Sequence, residues 1–181
     1  MKINKLNIIL VILISCFLLC GCGKQESSDL EGSISNPKKE TIVSSGFDEK
    51  GSGTLQCSTD TVESDDMEVD LSYTVTYERG NILKLRSVSK ISSDDNTIVE
   101  NYYNAYLNIS SNYHELKYYD TSLTKEDNTV IYDVVINYEK IDTDKLLKIE
   151  GKEDNIIVSG KAKLSLWLDL AEKFGTTCQE V

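Results

Sequence analysis

The chain has 181 residues, with 30 acidic against 19 basic side chains, a formal charge of −11 and 40% hydrophobic residues. That length suits one domain with a sizeable core. The acidic balance argues against a nucleic-acid partner, which rewards clustered Lys and Arg, and against a body lying flat on anionic lipid.

Lys2 and Lys5 form a short positive start, and Leu6 to Leu19 is an apolar run broken only by Asn7 and Ser15, the anatomy of a secretory signal. The run is too short for a bilayer core, which asks for roughly twenty apolar residues. It ends in Leu19-Cys20-Gly21-Cys22, which reads as a bacterial lipobox with Cys22 as the lipidated residue. The thiol of such a Cys accepts a diacylglyceryl group before cleavage frees its amine, which requires a small residue just before it and an aliphatic residue three before it. Gly21 and Leu19 meet both demands, whereas Cys20 would put Leu19 at the small position and Cys16 would put Ser15 there with too little apolar sequence ahead. The expectation is a signal peptide at 1–21 and a protein held on the extracytoplasmic face of a bacterial membrane, since two or more acyl chains anchor firmly.

Cleavage before Cys22 leaves 17 basic against 30 acidic side chains, a charge of −13. A solvated surface explains this, with attraction to a cationic ligand or envelope protein as the sharper reading. From Cys22 to residue 52 the chain is rich in Ser, Gly, Lys and Glu, carries the only proline, Pro37, and shows no apolar period. It reads as a disordered tether, with Ile42-Val43 as a brief strand nucleus at best.

A single α+β domain is expected over residues 53–181. Leu55, Cys57 and Thr59 alternate with polar neighbours in a first strand, and Met67, Val69, Leu71, Tyr73, Val75 and Tyr77 hold one face of a second. Glu78-Arg79-Gly80-Asn81 supplies a hairpin turn, and Ile82 to Ile91 returns with a phase change between Leu85 and Val88 that predicts a bulge near Arg86. After candidate N-caps at Ser93 to Asn96, Ile98, Tyr102, Ala105, Tyr106, Ile109 and Tyr113 recur at helical spacing, predicting a helix of about sixteen residues with a Tyr-rich core stripe.

Strands are predicted at Glu115 to Leu123 and Thr129 to Glu139, joined at Lys125 to Asn128. Asp142-Thr143-Asp144 caps a short helix through Ile149, and Leu166, Trp167, Leu170, Ala171 and Phe174 mark another that Gly175 stops, leaving Cys178 in a terminal strand or tail. The order β-β-β-α-β-β-α-α-β predicts an antiparallel sheet with helices packed on one face.

Of five cysteines, Cys16 and Cys20 leave with the signal and Cys22 carries lipid. Cys57 and Cys178 remain, and two thiols outside the cytosol suggest one disulfide, with buried free thiols or a metal pair as the alternatives. The bridge would close a loop of about 120 residues, for which chain entropy gives roughly 4–5 kcal/mol.

The lipobox, the acidic tether, the hairpin around Tyr73-Thr74-Val75-Thr76-Tyr77 and above all Val135-Ile136-Asn137-Tyr138-Glu139-Lys140-Ile141-Asp142-Thr143-Asp144-Lys145-Leu146 resemble the small YehR-type bacterial lipoproteins, a family of unknown function. The resemblance covers most of residues 53 to 181 and implies an exported, lipid-anchored α+β domain. It brings no active site with it.

Chemistry sought directly is sparse. His114 is the only histidine and reads as a surface or packing residue, and no Gly-x-Ser-x-Gly elbow positions a nucleophile. Asp65-Asp66, Asp94-Asp95-Asn96 and Asp142-Thr143-Asp144 lack the continuation of a calcium loop and read as caps and turns. No catalytic residue, metal site or cofactor is assigned. The chain is expected to be a non-enzymatic binding or interaction module; a small envelope enzyme or a carrier of a hydrophobic ligand is the alternative. A deep pocket lined by Tyr102, Tyr106, Tyr132 and Trp167 would favour the alternative, and a filled core the module.

Overall fold

The alternation that begins at Met67 becomes β3 (Met67–Glu78), a strand whose side chains are buried and exposed in turn as the two-residue period demands. The computed structural model describes residues 48 to 181, without residues 65 and 154. The signal peptide, the lipidated Cys22 and the tether up to residue 47, Ile42-Val43 included, lie outside the described residues.

Around β3 stand β1 (Ser52–Thr59), β2 (Val62–Ser64), β4 (Asn81–Ser92), β5 (Tyr119–Glu126), β6 (Thr129–Asn137) and β9 (Thr176–Glu180). They make one antiparallel sheet in the order β5-β6-β4-β3-β1-β9, with β2 paired to β3 beside that path. A separate hairpin is made by β7 (Ile157–Val158) and β8 (Lys161–Ala162). Helices α1 (Asn96–Ser111), α2 (Thr143–Glu150) and α3 (Leu164–Lys173) complete an α+β fold in the expected order, with β2, β7 and β8 as short additions. No described helix is long and apolar enough to cross a membrane.

Direct cross-strand partners share a face, so the register gathers Leu55, Val75, Leu85 and Ile136 in one row and Cys178, Cys57, Tyr73, Ser87 and Val134 in the next. Helices cover this face: Tyr106 of α1 stacks on Tyr132 of β6, and Trp167 of α3 meets Tyr73 of β3 edge to face. The opposite face presents Gln56, Ser72, Thr74, Arg86 and Asp133, with Arg86 clasping Asp133 at 2.7 Å. One wet face is ordinary for an antiparallel sheet.

The β3–β4 hairpin turns at Arg79 and Gly80, both at positive φ (50° and 73°). That is the twist a two-residue hairpin requires, and glycine takes it without cost. Residues 48 to 51, which sequence assigns to the tether, bond to this turn: Arg79 N donates to Gly51 O and Gly80 N to Glu49 O. Gly53 lies opposite Tyr77, whose hydroxyl donates to Glu180 across the space a Cβ would fill.

The bulge is not at Arg86. The β3–β4 register shifts between Thr76 and Tyr77, which pair with Lys84 and Ile82, so Leu83 is the extra residue. Beyond it Leu85, Ser87, Ser89 and Ile91 face inward in unbroken alternation while Val88 faces out. Ser89 sits in the core at 2.7 Å from the Tyr106 hydroxyl, a hydrogen bond that lets a small polar residue occupy an apolar face.

Helix α1 has the expected sixteen residues, capped by Asp95, whose carboxylate accepts from Thr97 N. Its buried stripe is Val99, Tyr102 and Tyr106, with Ile98 and Ile109 at the margins. Replacing Asp95 by Ala should cost about 1 kcal/mol in urea-unfolding free energy, since it orphans an amide of the first turn. An unchanged midpoint would show that Ser93 or water takes over the cap. Strand β5 starts four residues later than the Glu115 expected, because Tyr113 to Tyr119 form successive tight turns and Tyr118 adopts φ 70°.

Candidate functional site

The four aromatics that decide between carrier and module fill the core. Trp167 is fully buried, and Tyr102, Tyr106 and Tyr132 are at most 4% exposed. Tyr106 and Tyr132 stack with centroids 4.6 Å apart, and Tyr102 leans on Tyr106 at 6.4 Å. Trp167 lies against Tyr73, 5.6 Å away. These rings bury large area against one another, and neither groove described below is lined by any of them.

His114 closes the loop after α1. Its Nδ1 lies 2.6 Å from the Ser111 carbonyl and its Nε2 is 3.6 Å from Glu115. The neighbouring Ser111 hydroxyl donates to Asn108 O, so the pair is engaged with backbone and is not arranged as nucleophile and base. A surface groove of about 360 Å³ runs between the end of α1 and β5, lined by Leu107, Asn108, Ser111, Tyr113, His114 and Thr121 among others. A second concavity of about 420 Å³ lies over Gln56, Ser58, Ser72, Thr177 and Gln179 on the polar face.

Of the acidic pairs, Asp95 and Asp142 cap α1 and α2, and Asp142 accepts from Lys145 N at 3.0 Å. Among the described residues no three His, Cys, Asp or Glu side chains gather to hold a metal ion. Cys57 and Cys178 stand directly opposite in β1 and β9, with Cα atoms 4.1 Å apart and sulfurs at bonding distance, a pair capable of a disulfide. Both are buried.

Sequence reading missed Glu150. It ends α2 four residues after the fully buried Leu146, on the same face, and is only 7% exposed. Its Oε2 accepts from Asn155 Nδ2 at 3.1 Å, while Oε1 is buried without a hydrogen-bond partner. Burial drives the carboxyl up to about 8, against a small opposing pull from the Asn155 bond. Tyr119 and Tyr138 lie near enough for a charge on Glu150 to disfavour their ionisation, and burial, the larger cause, already holds both phenols well above their usual range. The Tyr119 hydroxyl is also buried without a partner. The (i, i+4) spacing from Leu146 was the available signal.

No family model matches the chain, and no curated protein matches it. Among solved structures it is similar to the NMR structure of E. coli YehR, at 18% identity and TM-score 0.51, covering 71% of this chain and 91% of that one. It is also similar to the NMR structure of a protein from Streptococcus pneumoniae TIGR4, at 18% identity and TM-score 0.46, covering 87% and 99%. The first likeness shows a YehR-like fold.

Proposed function

We propose that the chain is a lipid-anchored lipoprotein of the YehR type, held by Cys22 on the extracytoplasmic face of a bacterial membrane, and that its domain is a non-enzymatic binding or interaction module. The observation that carries the module reading is the filled aromatic core: Tyr106 on Tyr132 and Trp167 on Tyr73 occupy the space a carrier would give to its ligand. The lipobox Leu19 to Cys22 and the positive, apolar segment ahead of it support the anchor. The partners are then the membrane, through the anchor, and an envelope protein or cationic ligand suited to a body of charge −13.

Cells expressing the chain and grown with a labelled fatty acid should label it, and Cys22→Ala should abolish the label and leave the precursor uncleaved. An unlabelled wild-type protein would overturn the anchor; label persisting in Cys22→Ala would move it to another cysteine. Native mass spectrometry of the Cys22→Ala chain produced without residues 1–21 should show the bare polypeptide mass. A stoichiometric co-purifying lipid would overturn the module reading in favour of a carrier.

A further inference from the structure

We propose that Glu150 is a proton-dependent latch, seated in the core as the neutral acid, which holds the end of α2 and the loop at Asn155 against the sheet and releases them when it ionises. The proposal goes beyond the module reading and does not depend on it.

Helix α2 has two buried side chains, Leu146 and Glu150, so one of its two anchors is a carboxyl. Asn155 carries that anchor onward: its Nδ2 donates to Glu150 Oε2 and to Gly151 O, and its Oδ1 accepts from Ile157 N at the start of β7. The helix end and the loop therefore meet at Asn155, which the carboxyl holds from the core side, while the β7–β8 hairpin is tied to the sheet separately through Lys163 and Asn81. As the acid, Glu150 keeps the bond from Asn155 and carries no charge beside the buried phenols of Tyr119 and Tyr138. As the carboxylate it would hold a full charge beside an oxygen with no donor, and it makes no ion pair among the described residues. Such a charge is expelled or kept protonated.

The groups facing Glu150 cannot take over the titration. Tyr119 from β5 and Tyr138 after β6 are buried phenols pushed to higher pH, and Tyr113 and Tyr132 lie beyond Tyr119. Asn155 does not titrate. The single His114 stands on an exposed loop against Ser111 and Glu115.

The sign follows from proton counting. The seated group titrates near 8 and the released group near the ordinary 4.5, so the seated state binds more protons between those values and loses ground as pH rises. The opening equilibrium of α2 should grow about tenfold per pH unit between roughly pH 5 and pH 8 and level off above.

Hydrogen exchange of the full-length chain in detergent, corrected for intrinsic base catalysis, should show that slope in α2 amides while β3 and β4 stay protected. Glu150→Gln should flatten the slope and His114→Ala should leave it intact. A flat wild-type profile, an equal slope in Glu150→Gln, loss of the slope in His114→Ala or parallel opening of β3 and β4 would each overturn the latch. Should Glu150→Gln fail to fold, carboxyl-carbon NMR of the wild type decides the matter. A Glu150 midpoint above 7 is expected, and one at the ordinary value would end the proposal.

Discussion

Trp167→Ala should lower the unfolding free energy by about 3–5 kcal/mol, because it empties one of the largest sites in the core. The indole is fully buried and is among the largest side chains in the core. It is the only tryptophan and meets the ring of Tyr73 on β3 edge to face. Neighbours on β-strands are fixed by their ladders, so the space left would collapse only in part. Trp167→Phe should cost markedly less. It keeps a ring against Tyr73 and removes an indole Nε1–H that is buried without a partner, which offsets part of the lost area. Urea unfolding followed by far-UV circular dichroism measures both, and near-equal losses for Ala and Phe would show that shape, rather than the aromatic contact, sets the cost.

Much of this packing was legible in the sequence because burial is periodic where the sheet is deepest. Met67 to Tyr77 and Val130 to Tyr138 face helices on one side and water on the other, so their alternation reads off directly. The Tyr stripe of α1 was legible as core for the same reason, although Val99, its most buried member, was passed over for Ile98 one position away. The reading failed where a local hydrogen bond reverses polarity. Ser89 is accommodated facing inward because Tyr106 reaches it from the helix that follows β4, and no window of β4 contains that partner. The apolar phase of β4 therefore points to a bulge at Arg86, whereas the bulge lies at Leu83, beside the turn. Strands of two or three residues, β2, β7 and β8, are too short for any period to register. Glu150 escaped because a glutamate at the end of a short polar helix is ordinarily solvated, and only tertiary packing seals it.

The Cys57–Cys178 pair should be oxidised in the exported protein, and its removal should cost roughly 4–5 kcal/mol, the entropy released when a loop of this length is no longer closed in the unfolded chain. The separation is 121 residues, so the bridge would join the first long strand of the domain to its last. Register already places the two residues opposite each other, and the next pair on that face is Thr59 and Thr176, whose hydroxyls lie 2.8 Å apart. Strand β9 is short, lies at the end of the sheet order and follows α3 through Gly175. Loss of the bridge should therefore loosen β9 first and then α3. Non-reducing peptide mapping of membrane-extracted protein should find the two cysteines in one linked pair, and the Cys57→Ser, Cys178→Ser double variant should unfold at lower urea. Two separately alkylated peptides would sink the oxidised state; a linked pair with an unchanged midpoint would sink the entropic account of its worth. Because β9 and Trp167 stabilise the same half of the core, combining the double serine variant with Trp167→Ala should cost less than the two losses taken separately. Full additivity would mean that α3 is held by the sheet independently of β9.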